Sequence, residues 1–157
     1  MNGLLLNLLL AIVWAALTGV FSAANLAFGF ALGFLVLFFT RRVCGVPRYV
    51  EKVQQVMSLA LYFLWELVMA NLRVAYDVLT PRQYARPGVV AIPLDARTDT
   101  EITLLANLIT LTPGTLSIDV SHDRKELYVH ALYIDDPDEV RRQIKQGFER
   151  RVLEIMR

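Results

Sequence analysis

The first forty residues contain no charged side chain, and the first charges, Arg41 and Arg42, open a cluster that continues with Arg48, Glu51 and Lys52. An ordinary water-soluble domain has no place for so long an uncharged apolar block, whereas the hydrocarbon of a bilayer does. Charge is sparse again over residues 53–80, where only Glu66, Arg73 and Asp77 occur. It then becomes dense: residues 81–157 hold eleven basic and twelve acidic side chains. The chain therefore divides into an apolar segment 1–40, a basic collar 41–52, a sparsely charged middle 53–80 and a polar tail 81–157. The tail is close to neutral, so it carries no electrostatic footprint for nucleic acid.

As a single helix, Leu4 to Phe39 would be roughly 54 Å long, against a hydrocarbon core of about 30 Å. One straight span is too long. Thr18-Gly19-Val20-Phe21-Ser22-Ala23-Ala24-Asn25 supplies turn-favouring Gly, Ser and Asn, so the pattern predicts a hairpin of two helices, near 4–19 and 24–40. Each is roughly 24 Å long, short for a span, and short spans thin the bilayer or recruit neighbours. Met1-Asn2-Gly3 lacks the positive start of a signal peptide, and the apolar stretch runs on past Ser22-Ala23-Ala24, so the segment is read as retained.

Gly29 and Gly33 stand at a GxxxG spacing in the second helix, with Ala27 and Ala31 at a four-residue step. Small residues on one face let membrane helices approach closely. These four are the candidate subunit-packing residues, although Gly and Ala are common in membrane helices for other reasons too. Asn7 is the strongly polar residue of the first helix, available to a neighbour or to the head groups. Neither span holds an ionisable group, so the hairpin offers no evident ion-carrying carboxylate. The basic collar after the second span places that end, and with it the N-terminus and the tail, in the cytoplasm.

Residues 53–80 are read as an amphipathic helix at the membrane interface, with a third span as the alternative. The insertion energy of the apolar side chains is offset by Glu66 and the neighbouring polar groups, so a span is not demanded. Gln55, Glu66, Arg73 and Asp77 fall on one helical face at steps of eleven, seven and four, and Val56, Phe63, Leu67 and Val74 occupy another. Glu66, Arg73 and Asp77 form the candidate polar stripe. A charge pair lining an ion path is the functional reading; a solvated or head-group-facing stripe is the plainer one.

In the tail, Gly88–Leu94 reads as a strand, at an edge because Pro93 donates no ladder bond. Thr98-Asp99-Thr100-Glu101 is a capping box, and the helix after it is apolar over a wide arc: Ile102, Leu105, Ala106 and Ile109, then Leu104, Leu108 and Leu111. Such a helix is buried on more than one side, between the sheet and the membrane. Thr115–Val120 and Glu126–Tyr133 alternate as a β-hairpin. Asp136-Pro137-Asp138-Glu139 starts a last helix with an apolar face of Val140, Ile144, Phe148, Val152 and Met156. The expected class is thus a membrane α-helical hairpin plus an amphipathic helix, followed by a small cytoplasmic α+β domain of order β-α-β-β-α.

No nucleophile motif, phosphate-binding glycine loop or CxxC pair occurs, so no catalytic residue, metal site or cofactor is assigned and the chain is not read as an enzyme. His122 and His130 lack a third ligand at a convincing spacing. Cys44, the single cysteine, rules out an internal disulfide; it is a candidate palmitoylation position or, more plainly, an ordinary thiol.

Glu66-Leu67-Val68-Met69-Ala70-Asn71, Ala75-Tyr76-Asp77-Val78-Leu79 and, above all, Leu105 to Val120 with its Leu111-Thr112-Pro113-Gly114-Thr115-Leu116-Ser117 core carry a resemblance. Over its whole length the chain resembles the E-type subunits of the multi-subunit sodium/proton antiporters of the Mrp or Mnh type. The resemblance implies a plasma-membrane complex that exchanges cytoplasmic sodium for external protons. In it the large subunits carry the ion paths, and the small E-type component serves assembly beside other membrane subunits and lipid. The resemblance singles out Thr112, Pro113, Gly114 and Thr115 as a family motif, whose physical reading is structural: Pro113-Gly114 ends a helix and aims the next strand. The alternatives are the equivalent subunit of a related membrane-bound hydrogenase-type complex, or a membrane-anchored binding or tethering module.

Overall fold

The computed structural model describes residues 3–40, 47–80 and 85–157. Arg41, Arg42 and Cys44 of the collar, and Pro81 and Arg82 after the amphipathic segment, lie outside the described residues. The chain forms two compact units, residues 1–54 and 55–157.

In the first unit, α1 (Gly3–Thr18) and α2 (Ala23–Thr40) form a hairpin. Gly19 turns the chain at φ +67°, where a Cβ would be strained. Asn25 fastens the turn. Its amide nitrogen donates to the Val20 carbonyl at 2.7 Å and to Thr18 Oγ1 at 2.7 Å. Its amide oxygen accepts from Trp14 Nε1 at 3.1 Å. The two GxxxG glycines serve this hairpin: they face α1. A Cβ on Gly33 would overlap Asn7 Oδ1 and lie 3.1 Å from Leu10 Cβ; one on Gly29 would lie 2.9 Å from Trp14 Cδ1. Gly29, Gly33, Ala11 and Ala15 are buried between the helices, while Ala27 and Ala31 stay exposed. Asn7 is 0% exposed; its amide nitrogen donates to the Tyr49 hydroxyl at 2.8 Å, and its amide oxygen meets no donor among the described residues.

The third helix, α3 (Pro47–Leu79), spans 33 residues. It starts inside the stretch read as collar, so Arg48 and Lys52 sit on its first turns. Its opening turns belong to the first unit and the rest to the second. Among the described residues, Ala23–Thr40 and Arg48–Leu79 are long and apolar enough to cross a membrane; Gly3–Thr18 is apolar but shorter.

The second unit adds β1 (Gly88–Pro93), α4 (Asp99–Thr110), β2 (Thr115–Val120), β3 (Glu126–Ala131) and α5 (Pro137–Ile144). A π turn (Lys145–Glu149) then leads into α6 (Arg150–Met156). The sheet order is β1-β3-β2, all antiparallel, with β1 and β2 at the edges. Between Ser117 and Asp119 the register of β2 shifts, leaving Ile118 as a bulge. One sheet face is buried: Val90, Ile92, Leu127 and Val129 pack with Leu105 and Ile109 of α4, with Ile144, Phe148 and Val152, and with Leu59 of α3. On α4 the second apolar stripe is only half-buried at Leu104 and Leu108, and Leu111 is exposed.

Side chains occupy part of both sheet edges. On β1, Arg141 Nε donates to the Ala91 carbonyl at 2.9 Å and Lys145 Nζ to the Pro93 carbonyl at 2.7 Å. On β2, the Ser117 amide donates to Thr110 Oγ1 at 3.1 Å and the Val120 amide to Asp119 Oδ1 at 2.8 Å.

The last helix is interrupted, where the sequence pattern suggests one continuous helix. Its apolar positions step by four, from Val140 through Ile144 and Phe148 to Val152. Four overshoots the α-helical turn of about 3.6 residues, and over three steps the excess sums to about one residue. One π turn absorbs one extra residue. The interruption thus keeps the stripe on the core, and it turns Gly147, Phe148 and Glu149 inward, all three buried.

Candidate functional site

The polar stripe of α3 faces the chain's own α+β unit. Tyr62, one turn before Glu66, donates to the Glu66 carboxylate and packs edge-on against Phe148 at 5.2 Å between ring centres. The Arg151 guanidinium lies 4.0 Å from the Tyr62 ring centre, a cation–π geometry. Further along the helix, the Arg73 guanidinium lies 6.0 Å from the Tyr133 ring centre. The Tyr133 hydroxyl donates to Asp77 Oδ2 at 3.3 Å. Burial, then the Asp77 carboxylate, push the Tyr133 phenol above its ordinary value. Glu66 thus meets a tyrosine of its own helix, while Arg73 and Asp77 fasten α3 to Tyr133, just past β3.

Between these contacts lies a cleft of about 100 Å³. Tyr62, Glu66 and Arg73 line one wall, Thr112 to Thr115 and Tyr133 another, and Gln143 with Phe148 a third. The Thr112-Pro113-Gly114-Thr115 segment is both a wall and the turn that ends α4. Thr112 Oγ1 donates to the Leu108 carbonyl at 3.0 Å, and Thr115 Oγ1 to the Ile109 carbonyl at 2.6 Å. The first satisfies a helix-end carbonyl, and the second joins the Thr112 amide on the Ile109 carbonyl. Gly114, at φ +87°, reverses the chain, and its carbonyl accepts from the Leu132 amide at 2.8 Å. That bond starts the β2–β3 ladder. Four polar or turn-forming residues stand here because a helix must stop and a strand must start within one turn.

A second cluster fixes the loop between β1 and α4. Glu149, 1% exposed, accepts from the Asp95 amide at 2.6 Å and the Ala96 amide at 3.0 Å. Lys145 Nζ lies 3.0 Å from its other oxygen and 2.8 Å from Asp95 Oδ2. Lys145 is the first cause holding the Asp95 carboxyl below its usual range. Glu101 closes the capping box: Thr98 Oγ1 accepts from the Glu101 amide, and the Glu101 carboxylate accepts from the Arg97 and Thr98 amides. Those two amides, aided by Arg157 at 3.3 Å, hold the Glu101 carboxyl at about 2, against an ordinary 4.5.

Because the Glu101 pKa is lower in the folded chain, its stabilising contribution is complete above about pH 4.5 and fades as pH falls towards 2. Acid titration of the detergent-solubilised chain, followed by far-UV circular dichroism, is expected to show this loss between about pH 5 and 2. Glu101→Gln flattens the profile in that window; an unchanged profile refutes the assignment.

Among the described residues no three His, Cys, Asp or Glu side chains converge as a metal site. His122 lies in the turn after β2 and His130 on β3, half-buried on the sheet, and neither joins the cleft. The residues that sequence reasoning missed are Tyr62, Tyr133, Gly147, Glu149 and Arg151. Tyr62 was within reach, since it shares the helical face of Glu66 and Arg73.

Comparison with known proteins places this architecture. A family described as MNHE, Na+/H+ ion antiporter subunit, matches residues 7–155. The E-type subunit of the Na(+)/H(+) antiporter of Bacillus subtilis is 42% identical over 154 residues, 98% of each chain. A chain of the Mrp complex from Dietzia sp. is 32% identical with a TM-score of 0.51, covering 65% of this chain and 96% of that one. A chain of the membrane-bound sulfane sulfur reductase, an archaeal respiratory membrane complex, is 30% identical with a TM-score of 0.50, covering 85% of this chain and 84% of that one. The chain, with its helical hairpin, its long α3 and its Thr112–Thr115 turn, belongs to the MNHE family of Na+/H+ ion antiporter subunits.

Proposed function

We propose that the chain is an accessory, assembly-type subunit of a multi-subunit cation/proton antiporter complex in which sodium leaves the cytoplasm as protons enter. Other membrane subunits are its partners, and the main ion path lies in them. The carrying observation is the match of nearly the whole chain to an E-type antiporter subunit, joined to α1 and α2 that contain no ionisable side chain. A span without such a group offers no site for proton exchange. The chemistry of the second unit is fastening: aromatic, basic and acidic side chains join α3 to the last helix and to Tyr133 beyond β3.

The hairpin crosses the plasma membrane with its N-terminus and the α+β unit on the cytoplasmic side. Arg41, Arg42, Arg48 and Lys52 support this orientation, because basic residues just past a span stay in the cytoplasm. A single cysteine at Ser121 is expected to react with a membrane-impermeant maleimide only after the cells are opened. Labelling of intact cells would reverse the orientation.

The test of the role is co-purification together with sodium efflux. The tagged chain, extracted in mild detergent, brings down the other antiporter subunits, and its deletion abolishes their assembly and growth in high sodium. A lone monomer, with sodium efflux intact in the deletion strain, overturns the proposal. The similarity to the sulfane sulfur reductase chain favours a second reading, the equivalent subunit of a membrane-bound redox complex. Co-purification of redox subunits in place of antiporter subunits would establish it.

A further inference from the structure

Helix α3 has two sides to account for. One side carries the α+β unit. Leu59 joins the buried core, Tyr62 and Phe63 pack against it, and Asp77 meets Tyr133. From Leu59 to Asp77 the helix rises roughly 27 Å, close to the hydrocarbon thickness of about 30 Å. The α+β unit therefore flanks α3 along nearly all the length that a span would sink into lipid.

The flanking surface is charged. Arg142, Arg150, Arg151 and Glu139 stand around Tyr62 and Gly147. A basic side chain at the bilayer centre costs about 2.5–3.5 kcal/mol, so three of them together exceed what the apolar side chains of α3 return. While the α+β unit stays on α3, the helix does not cross the bilayer.

The opposite side is apolar and open. Met57, Leu61, Leu64, Trp65, Val68 and Leu72 form one face, with Leu61 60% and Trp65 61% exposed. Large side chains dominate it, unlike the glycines by which α2 packs on α1, so it lacks the small-residue surface of a tight helix–helix contact in lipid. A tryptophan amid leucines suits the head-group boundary.

We infer that this face of α3 lies along the bilayer surface, its side chains buried in the interface, so that α3 is a lipid-borne platform for the α+β unit and the chain crosses the membrane only by its hairpin. The inference stands apart from the kind of complex that takes up the chain, since lipid is the occupant of the face.

Spin labels decide it. In the Cys44→Ser chain, single cysteines at Leu61, Leu64, Val68 and Leu72 are labelled. The chain is then reconstituted with its co-purified complex in vesicles of phosphatidylethanolamine and phosphatidylglycerol. Collisions with oxygen and with a water-soluble nickel chelate give depth. All four labels are expected at one shallow depth, about 5–10 Å into the boundary. A depth that runs from one surface through the midplane means a span and overturns the inference. Loss of oxygen collisions at all four sites means a protein neighbour covers the face, and free access to nickel means it faces water; either result also overturns it. A second measurement leaves the apolar face unaltered. In the Trp14→Phe chain, Trp65 fluorescence is expected to be quenched more by lipids brominated near the head group than by lipids brominated near the chain end. The reverse order overturns the inference.

Discussion

Glu149→Ala lowers the stability of the α+β unit by about 2–4 kcal/mol, the cost of taking a shared acceptor from two loop amides. The alanine leaves the Asp95 and Ala96 amides without an acceptor and Lys145 with Asp95 alone among its carboxylate partners. Thermal melting of the detergent-solubilised chain gives the size of the effect. Hydrogen exchange gives its place: the amides of Asp95 and Ala96 lose protection first. Glu149→Gln keeps a carbonyl oxygen for the amides and loses the charge, so it costs about half as much. If the alanine chain melts as the parent does, the carboxylate does not hold this loop.

Gly147→Ala is expected to destabilise the second unit by about 1–2 kcal/mol, against the direction of helix propensity. An alanine in place of glycine ordinarily favours a helix by about 1 kcal/mol. Here the added Cβ would overlap the Tyr62 hydroxyl and lie 2.8 Å from Tyr62 Cζ. Tyr62 must swing away, losing Phe148 and the Arg151 guanidinium. The same substitution in a Tyr62→Ala background changes sign and stabilises, because the obstacle is gone. That reversal, read from denaturant midpoints of the four chains, is a coupling between α3 and the π turn. Additive effects would show that Tyr62 is not seated on Gly147.

Local signals in this sequence were legible and distant pairings were not. Thr98 and Glu101 announce their helix start because both partners of the capping box lie within one helical turn. Thr112 to Thr115 announce a stop and a reversal for the same reason. The stripe of Glu66, Arg73 and Asp77 follows from helical periodicity, but periodicity names a face and not what the face meets. Tyr133, 56 residues from Asp77, lies on another element altogether. The GxxxG pair was legible as a close-packing surface, and nothing in its spacing distinguishes α1 of the same chain from a neighbouring subunit. Glu149 was hidden most deeply. On a regular helix it would flank the apolar stripe, and the π turn brings it inward. The clue was the stripe itself, whose strict step of four does not fit a turn of about 3.6 residues.

The partly occupied sheet edges bear on the life of the chain before it finds its complex. A subunit made ahead of its partners waits with apolar surfaces uncovered, and an open strand edge would let two waiting copies zip together. Here the outward carbonyls of Ala91 and Pro93 are taken by Arg141 and Lys145, and the outward amides of Ser117 and Val120 by Thr110 and Asp119. Fewer backbone groups are thereby left for a second copy to pair with. At these positions a neighbour meets side chains, which can be selective, where it would otherwise meet backbone, which is the same in every protein.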